Sequence, residues 1–182
     1  EFSIAKECIA GANPFDPLES LDHINQLKEK CDYVIVLYHG GKEHFRYPSP
    51  YLQKVCRKII EKGADLVICQ HSHCIGCEEK WKDGRIIYGQ GNFLFDNSDS
   101  EFWKTGLLVK INLDIKNNKK EISYIPLIKK DNKVRIAQDK NANIIMEQFL
   151  ERSEEICCEE FVKSNYKAFA NQMQWQYLSA FA

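Results

Sequence analysis

Residues 63–73 read Gly-Ala-Asp-Leu-Val-Ile-Cys-Gln-His-Ser-His, and this stretch decides the fold. Residues 65–69 consist of Asp65 and the apolar run Leu-Val-Ile-Cys, which predicts a strand buried on both faces. The preceding residues have apolar side chains at helical spacing, with Ser49 and Pro50 as start signals and Gly63 as a stop signal. The stretch therefore predicts a helix followed by a buried strand that ends at His71 and His73.

The same pattern occurs one unit earlier. Asp16 is a suitable N-cap for a helix over residues 17–30, and Glu19 stands where a capping-box acid belongs. Residues 32–38 then predict a second strand covered on both faces, ending at His39. Alternating helices and strands, with polar residues at the carboxyl ends of the strands, predict an α/β fold whose ligands bind beyond those ends.

The remaining elements are predicted separately. Residues 85–88 predict a short strand, residues 107–115 and 121–128 an antiparallel hairpin, and residues 141–182 helix with a break near Ser164. The length of 182 residues fits one domain.

Charge and hydropathy exclude two classes of partner. With 25 basic and 26 acidic residues, the chain lacks the positive charge of a nucleic-acid-binding protein. Its longest apolar run, residues 33–38, is too short for a membrane span. The expected partner is a small-molecule or polymer substrate.

Three of the five histidines, His39, His71 and His73, directly follow predicted strands. A loop at the end of a strand holds a side chain rigidly and leaves it open to solvent, as a catalytic metal ligand requires. Imidazole binds zinc, iron and manganese. The sequence therefore predicts a metal site, whereas a single loop histidine would more simply be a hydrogen-bonding residue.

Three ordered segments resemble the CapA-like (poly-γ-glutamate capsule synthesis) family. They are Tyr-Val-Ile-Val-Leu-Tyr-His-Gly-Gly-Lys-Glu (residues 33–43), residues 63–73, and Ile-Tyr-Gly-Gln-Gly-Asn-Phe-Leu-Phe (residues 87–95). The resemblance implies the calcineurin-like metallophosphatase superfamily and its αββα sandwich of two sheets covered by helices. It further implies that residues 1–140 are the C-terminal portion of that domain and that residues 141–182 are a helical segment packed on it.

The resemblance also implies roles for individual residues. His39, His71 and His73 would bind a pair of divalent ions (Mn, Fe or Zn). Glu43 and Asn92, together with His39, would be the catalytic residues, although Glu43 is equally well explained as a solvated acid. The implied activity is that of a hydrolase in which metal-activated water attacks a phosphoester or a γ-glutamyl or cell-wall amide.

The sequence departs from the superfamily pattern in two respects. Gln70 stands where the phosphatase pattern has glycine, and the early Asp-x-His, bridging Asp and Asn-His motifs are missing. Three histidines alone do not build a two-metal site. We therefore expect only the C-terminal half of the domain here, with the other ligands supplied by a missing N-terminal half or by a partner, which includes a homodimer.

Two other functions are compatible with the sequence. Cys69, Cys74 and Cys77 cluster around His71 and His73, which fits a structural zinc or redox-thiol site, although no second Cys-x-x-Cys exists. Alternatively, the chain is a catalytically silent interaction module. Such a module is expected to expose an apolar surface, and the candidate residues are Phe2, Ile4, Ile9, Phe169, Trp175, Tyr177 and Phe181. The simpler alternative is that these side chains pack within the chain itself.

The eight cysteines have irregular spacings, which favours reduced thiols and a cytoplasmic location. The family resemblance instead favours the cell envelope.

Overall fold

The computed structural model describes residues 4–94, 100–131 and 133–179. The α-helices in these ranges are α1 (Glu19–Lys28), α2 (Pro50–Glu61), α3 (Asp139–Glu155) and α4 (Glu159–Ser179). The strands are β1 (Ile35–His39), β2 (Leu66–Gln70), β3 (Glu78–Trp81), β4 (Gly84–Ile87), β5 (Thr105–Asp114), β6 (Lys119–Lys130) and β7 (Lys133–Ile136). A 3₁₀ helix spans Glu101–Trp103.

Helix α2 begins at Pro50, as the sequence predicts, whereas α1 begins at Glu19, two residues after the predicted start at residue 17. Oδ1 of Asp16 accepts hydrogen bonds from the backbone N–H groups of Leu18 (2.7 Å) and Glu19 (3.3 Å), so Asp16 caps the first turn. The Asp16 N–H donates to Ser20 Oγ at 3.1 Å, so Ser20 takes the acceptor role predicted for Glu19. In α2, Ser49 Oγ accepts a hydrogen bond from the Leu52 N–H at 3.1 Å.

Two sheets carry the fold. The first has the strand order β1-β2-β4-β3, in which β1, β2 and β4 are parallel and β3 pairs antiparallel with β4. The second contains β5, β6 and β7 in antiparallel order, so it includes the predicted hairpin. Strands β3 and β7 were not predicted from the sequence. Both are short, at least half of the residues in each are charged, and each depends on pairing with a neighbour.

The layers follow from the alternating faces of β2 and β4. Val67, Cys69 and Ile86 face α1, α2 and α4 in the larger core. On the opposite face Leu66, Ile68 and Ile87 pack against the second sheet. Residues of α3 cover part of the second sheet in a further core around Phe149. The predicted α/β class, a sandwich of two sheets with an antiparallel hairpin and C-terminal helices, is confirmed.

One prediction about β1 is wrong. Ile35 and Leu37 are 43% and 70% exposed, so only the other face of this strand, with Val36 and Tyr38, contacts the core. The reason is its position at the edge of the sheet, since the described part of the second sheet packs on β2 and β4 and does not extend across β1.

The helix break predicted near Ser164 is also wrong. Residues 156–158 separate α3 from α4, and α4 continues through Ser164. The Ser164 hydroxyl donates to the Phe161 carbonyl at 3.1 Å, a local bond that a helix accommodates.

The residues proposed as apolar interaction surface behave differently from one another. Phe169 stacks on Phe45 with ring centroids 4.4 Å apart, whereas Trp175 is 73% exposed, and Ile4 and Ile9 are also exposed. Phe2, Phe181 and the side chain of Tyr177 lie outside the described residues, as does Phe95 of the third motif. In the described part of the chain, every helix is too short or too polar to cross a membrane.

Candidate metal centre

The parallel pairing of β1 and β2 brings the first two predicted ligands together. His39 is the last residue of β1 and pairs in register with Gln70, the last residue of β2, so His71 follows at the same edge of the sheet. The His39 and His71 ring centroids are 5.0 Å apart.

The loop after β1 is tied to the loop after β2. The Gly40 N–H donates to the Gln70 carbonyl (3.1 Å), and the His44 N–H donates to the Ser72 carbonyl (2.8 Å). Gly41 between these bonds has φ +140°, a conformation that favours glycine. This pairing places Glu43 beside the histidines.

The His-x-His segment bends sharply. His71 and His73 have φ values of 89° and 56°, both in the left-handed region that costs a non-glycine residue about 1–3 kcal/mol each. The turn lets both rings lie on the same side, with centroids 6.1 Å apart. Strained backbone that the surrounding structure holds in place is typical of functional sites.

The structure gathers Glu43, His71 and His73 into one group. Each offers a ligand atom, and these atoms all lie within 4.8 Å of one another. The two histidines are half-buried and Glu43 is exposed. His39 lies outside this group but contacts its edge through the His71 ring.

Asn92 fixes the orientation of His73. The His73 Nδ1 atom lies 2.8 Å from Asn92 Oδ1, and Asn92 Nδ2 donates to the His73 carbonyl at 2.9 Å. Because the amide oxygen only accepts, Nδ1 of the neutral imidazole carries the proton and Nε2 carries the lone pair. Trp103 stacks on the His73 ring at 4.9 Å and restricts its rotation.

The environment of His71 favours the neutral ring. Burial is the main cause that lowers the pKa of this imidazole, and the neighbouring His39 adds to it, while Glu43 acts in the opposite direction. A metal ligand must be deprotonated, so a lowered pKa keeps His71 ready to bind at neutral pH.

A cavity of about 380 Å³ opens beside these side chains. It is lined by His39, Gln70, His71, His73, Gln90, Gly91, Asn92, Phe93, Leu94, Gly106, Leu107, Leu108 and Leu127. Its lining therefore combines imidazole and amide groups with leucine and phenylalanine side chains. A pocket of this kind orients a ligand through a few polar groups and excludes water with the rest.

The cysteines of the alternative zinc site are arranged differently. Cys69, Cys74 and Cys77 are all buried, and the Cys69 sulfur lies 3.5 Å from that of Cys56. Within the described ranges, the only group of three metal-binding side chains is that of Glu43, His71 and His73. Burial raises the pKa of the Cys74 and Cys77 thiols, which disfavours the thiolate that binds zinc.

Trp103 and Gln90 belong to this region but were not predicted from the sequence. Gln90 lines the cavity and donates from Nε2 to the Leu107 carbonyl at 3.2 Å. Gln90 lies inside the third motif, two residues before Asn92. Its closeness to Asn92 is the sequence signal that could have placed it at this site. Trp103 comes from a segment with no recognisable pattern, so only tertiary structure reveals its contact with His73.

Comparisons with known proteins agree with the motifs. The family described as "Bacterial capsule synthesis protein PGA_cap" matches residues 5–97, which include β1, β2 and β4 and all five site residues. The chain is 31% identical over 98 residues to "Capsule biosynthesis protein CapA" of Bacillus anthracis, which covers 52% of this chain and 24% of that protein. It is 32% identical over 92 residues to "PGA biosynthesis protein CapA" of Bacillus subtilis (strain 168), which covers 50% of this chain and 24% of that protein.

This chain spans about a quarter of the length of these curated relatives. A third similar protein, "Uncharacterized protein y4sH" of Sinorhizobium fredii, is 28% identical over 88 residues. The family match extends over half of the chain and contains every motif that builds the histidine cluster. The chain is therefore a member of the bacterial capsule synthesis protein PGA_cap family.

Proposed function

We propose that this chain contributes ligands to the divalent-metal centre of a hydrolase that acts in capsule or poly-γ-glutamate synthesis. The observation that carries the proposal is the convergence of Glu43, His71 and His73 to within 4.8 Å. Two imidazoles and a carboxylate are a donor set that suits zinc, manganese and iron.

The ring orientations support metal binding. Asn92 holds the proton of His73 on Nδ1, which leaves Nε2 as the coordinating atom. Burial keeps His71 neutral. The backbone turn holds both rings on the same side before any ion binds.

A bound divalent ion would lower the pKa of a coordinated water toward neutrality and so supply a hydroxide nucleophile. His39 stands next to His71 at the cavity edge, where it is placed to donate a proton to a leaving group. The leucine wall formed by Leu107, Leu108 and Leu127 would shield the reacting bond from bulk water.

We infer the class of bond that is broken from the names of two relatives and from the family resemblance. Two relatives carry names from capsule and poly-γ-glutamate biosynthesis, which favours a γ-glutamyl or cell-wall amide. A phosphoester is the other substrate class, because hydrolysis of both develops negative charge on an oxygen that divalent ions stabilise. Further ligands from outside this chain are part of the proposal, since three side chains do not complete a two-metal site.

The test is metal content and affinity of the purified chain, measured by elemental analysis and by titration with Zn²⁺ and Mn²⁺. We expect binding in the wild type and its loss in the His71→Ala/His73→Ala variant. The control is His23→Ala, which removes an exposed histidine of α1. Equal metal binding by the double variant and the wild type would refute the proposal, and loss only in Cys74→Ser/Cys77→Ser would assign the metal to the thiols.

A further inference from the structure

A second cavity, of about 240 Å³, lies between the loop that precedes α2, the start of β5 and helix α3. Its polar lining residues are Arg46, Glu101, Thr105, Asn141, Gln148 and Arg152. It shares no lining residue with the cavity at the histidines. Its unusual feature is two guanidinium groups facing the same small space.

Arg152 is 8% exposed, and its side chain donates from Nε to the Gly76 carbonyl at 2.8 Å. Arg46 donates from Nη1 to the preceding carbonyl, that of Ile75, at 3.1 Å. The two positive groups are therefore fixed on consecutive peptide units. Burial is the main cause that lowers the pKa of Arg152, and the charge of Arg46 is the next.

Arg152 forms no close ion pair in the part of the chain that the structure describes. Among the described residues, no carboxylate lies within 4.0 Å of its guanidinium. Arg57 differs from Arg152 in this respect. Its side chain is 28% exposed, yet it forms an ion pair with the buried carboxylate of Glu79. A buried guanidinium without a close carboxylate is costly, so an anion bound in this cavity would lower that cost.

We propose that the cavity between Arg46 and Arg152 binds a small oxyanion, a carboxylate or a phosphate, through the two guanidinium groups. Guanidinium forks bind such planar or tetrahedral oxygen groups with paired charge-assisted hydrogen bonds. Thr105, Asn141 and Gln148 supply neutral polar groups around the same space. The volume suits a small anion or the anionic end of a longer molecule.

Glu101 acts as a competitor for this site. Its carboxylate lies 3.5 Å from Nη2 of Arg46, although the side chain is 80% exposed. Such an exposed contact is weak, so a ligand displaces it at little cost. Removal of the Glu101 charge should accordingly tighten anion binding, whereas removal of the Arg46 charge should weaken it.

The experiment is calorimetric titration of the metal-free chain, in chelator and at constant ionic strength, with inorganic phosphate and separately with glutarate. We expect saturable binding of at least one anion, weakened about tenfold or more in Arg46→Gln, because a charge-assisted hydrogen bond is lost. Glu101→Gln should bind more tightly than the wild type. Arg135→Gln, which removes an exposed arginine of β7, should bind like the wild type.

The two anions distinguish the ligand class, because binding of phosphate alone, of glutarate alone or of both identifies which oxygen groups fit.

The Arg152→Lys variant keeps the charge without the fork and should also bind more weakly. If Arg152→Lys fails to fold, the affinities of Arg46→Gln and Glu101→Gln still test the proposal. Neither of these side chains is fully buried, so both variants should fold. The His71→Ala/His73→Ala variant should bind the anion normally, which separates this site from the proposed metal centre. Equal affinities of wild type and Arg46→Gln, or no saturable binding of either anion, would overturn the proposal.

Discussion

Asn92 and His73 are joined by two hydrogen bonds that run in opposite directions, one to the ring and one to the backbone. Nδ1 of the His73 ring donates to Asn92 Oδ1 over 2.8 Å, and Asn92 Nδ2 donates to the His73 carbonyl over 2.9 Å. One amide side chain, 4% exposed, thus fixes the tautomer of the imidazole and the strained turn that carries it. Asn92 is a positioning residue, because it acts through His73.

This relationship predicts a graded effect on metal affinity. Asn92→Ala should reduce Zn²⁺ affinity about 10- to 100-fold, the usual loss when the partner of a metal-binding histidine is removed. Asn92→Asp should lose less, because its carboxylate still accepts the Nδ1 proton, although it no longer donates to the carbonyl. Competitive chelator titration measures both affinities.

The control for this series is Asn117→Ala, which removes an exposed amide in the turn between β5 and β6. Its zinc affinity should equal that of the wild type. If Asn92→Ala also retains wild-type affinity while remaining folded, the tautomer of His73 does not matter for binding and the positioning role is wrong.

The second prediction concerns how many cysteine thiols react in the native chain. Cys8, Cys31, Cys157 and Cys158 are exposed, whereas Cys56, Cys69, Cys74 and Cys77 are buried. A thiol reagent should therefore modify four groups rapidly in the native chain and all eight in denaturant. The same four should react when a chelator is present, because burial and not a metal protects the others. More than four rapid modifications after chelation would support the alternative zinc-thiolate site.

The third prediction concerns Asp65, in the Gly-Ala-Asp motif, and the pH dependence of the free energy of unfolding. Its carboxylate accepts hydrogen bonds from Lys28 Nζ (2.7 Å), the Val34 N–H (2.9 Å) and Lys120 Nζ (2.9 Å), so it connects α1, the start of β1 and the second sheet. Burial alone would raise its pKa, but the three hydrogen bonds outweigh it and hold the pKa of Asp65 below its ordinary value of 3.8.

A carboxyl whose pKa is lower in the folded state stabilises the protein above its unfolded-state pKa. This contribution is lost as the pH falls below about 4 and through the lower folded-state pKa. Asp65→Asn should therefore reduce the free energy of unfolding by about 1–3 kcal/mol at neutral pH. The difference from the wild type should shrink at acidic pH. Urea unfolding at several pH values measures it, with Asp83→Asn, a substitution in the exposed β3–β4 turn, as the control. A difference that stays constant down to the acid limit would contradict the argument.

The parts of the fold that sequence predicts are those that local chemistry determines. Asp16 and Ser49 cap helices because their side chains reach N–H groups two or three residues away. The run at β2 is buried on both faces because it lies inside the sheet. The histidines converge because parallel strands end at one edge, which the order of elements already implies.

The parts that sequence does not predict depend on partners distant along the chain. The β-branched run at β1 resembles that at β2, yet Leu37 is exposed because β1 lies at the edge of the described sheet. No local signal places Trp103 on His73, thirty residues earlier in the chain. Similarly, the pairing of Arg46 with Arg152 arises only when α3 packs beside the loop that precedes α2.

The last prediction concerns the stability contributed by the ion pair between Arg57 and the buried carboxylate of Glu79. Glu79 is 8% exposed, and its carboxylate pairs with the Arg57 guanidinium and accepts a hydrogen bond from the Tyr88 hydroxyl at 2.7 Å. Arg57 also lies over the Trp81 ring, with Cζ 4.2 Å from the centroid. Arg57→Met leaves the carboxylate buried without a cation, so it should lower the free energy of unfolding by about 3–5 kcal/mol.

Glu79→Gln should cost less, because Arg57 is partly exposed and water can solvate it, and the new amide oxygen still accepts from Tyr88. The double variant Arg57→Met/Glu79→Gln contains no unpaired buried charge and should be more stable than Arg57→Met alone. Urea unfolding of the four proteins completes the cycle. If the two single effects simply add, the carboxylate is not destabilised by loss of its partner, and the pair contributes no coupling energy to this core.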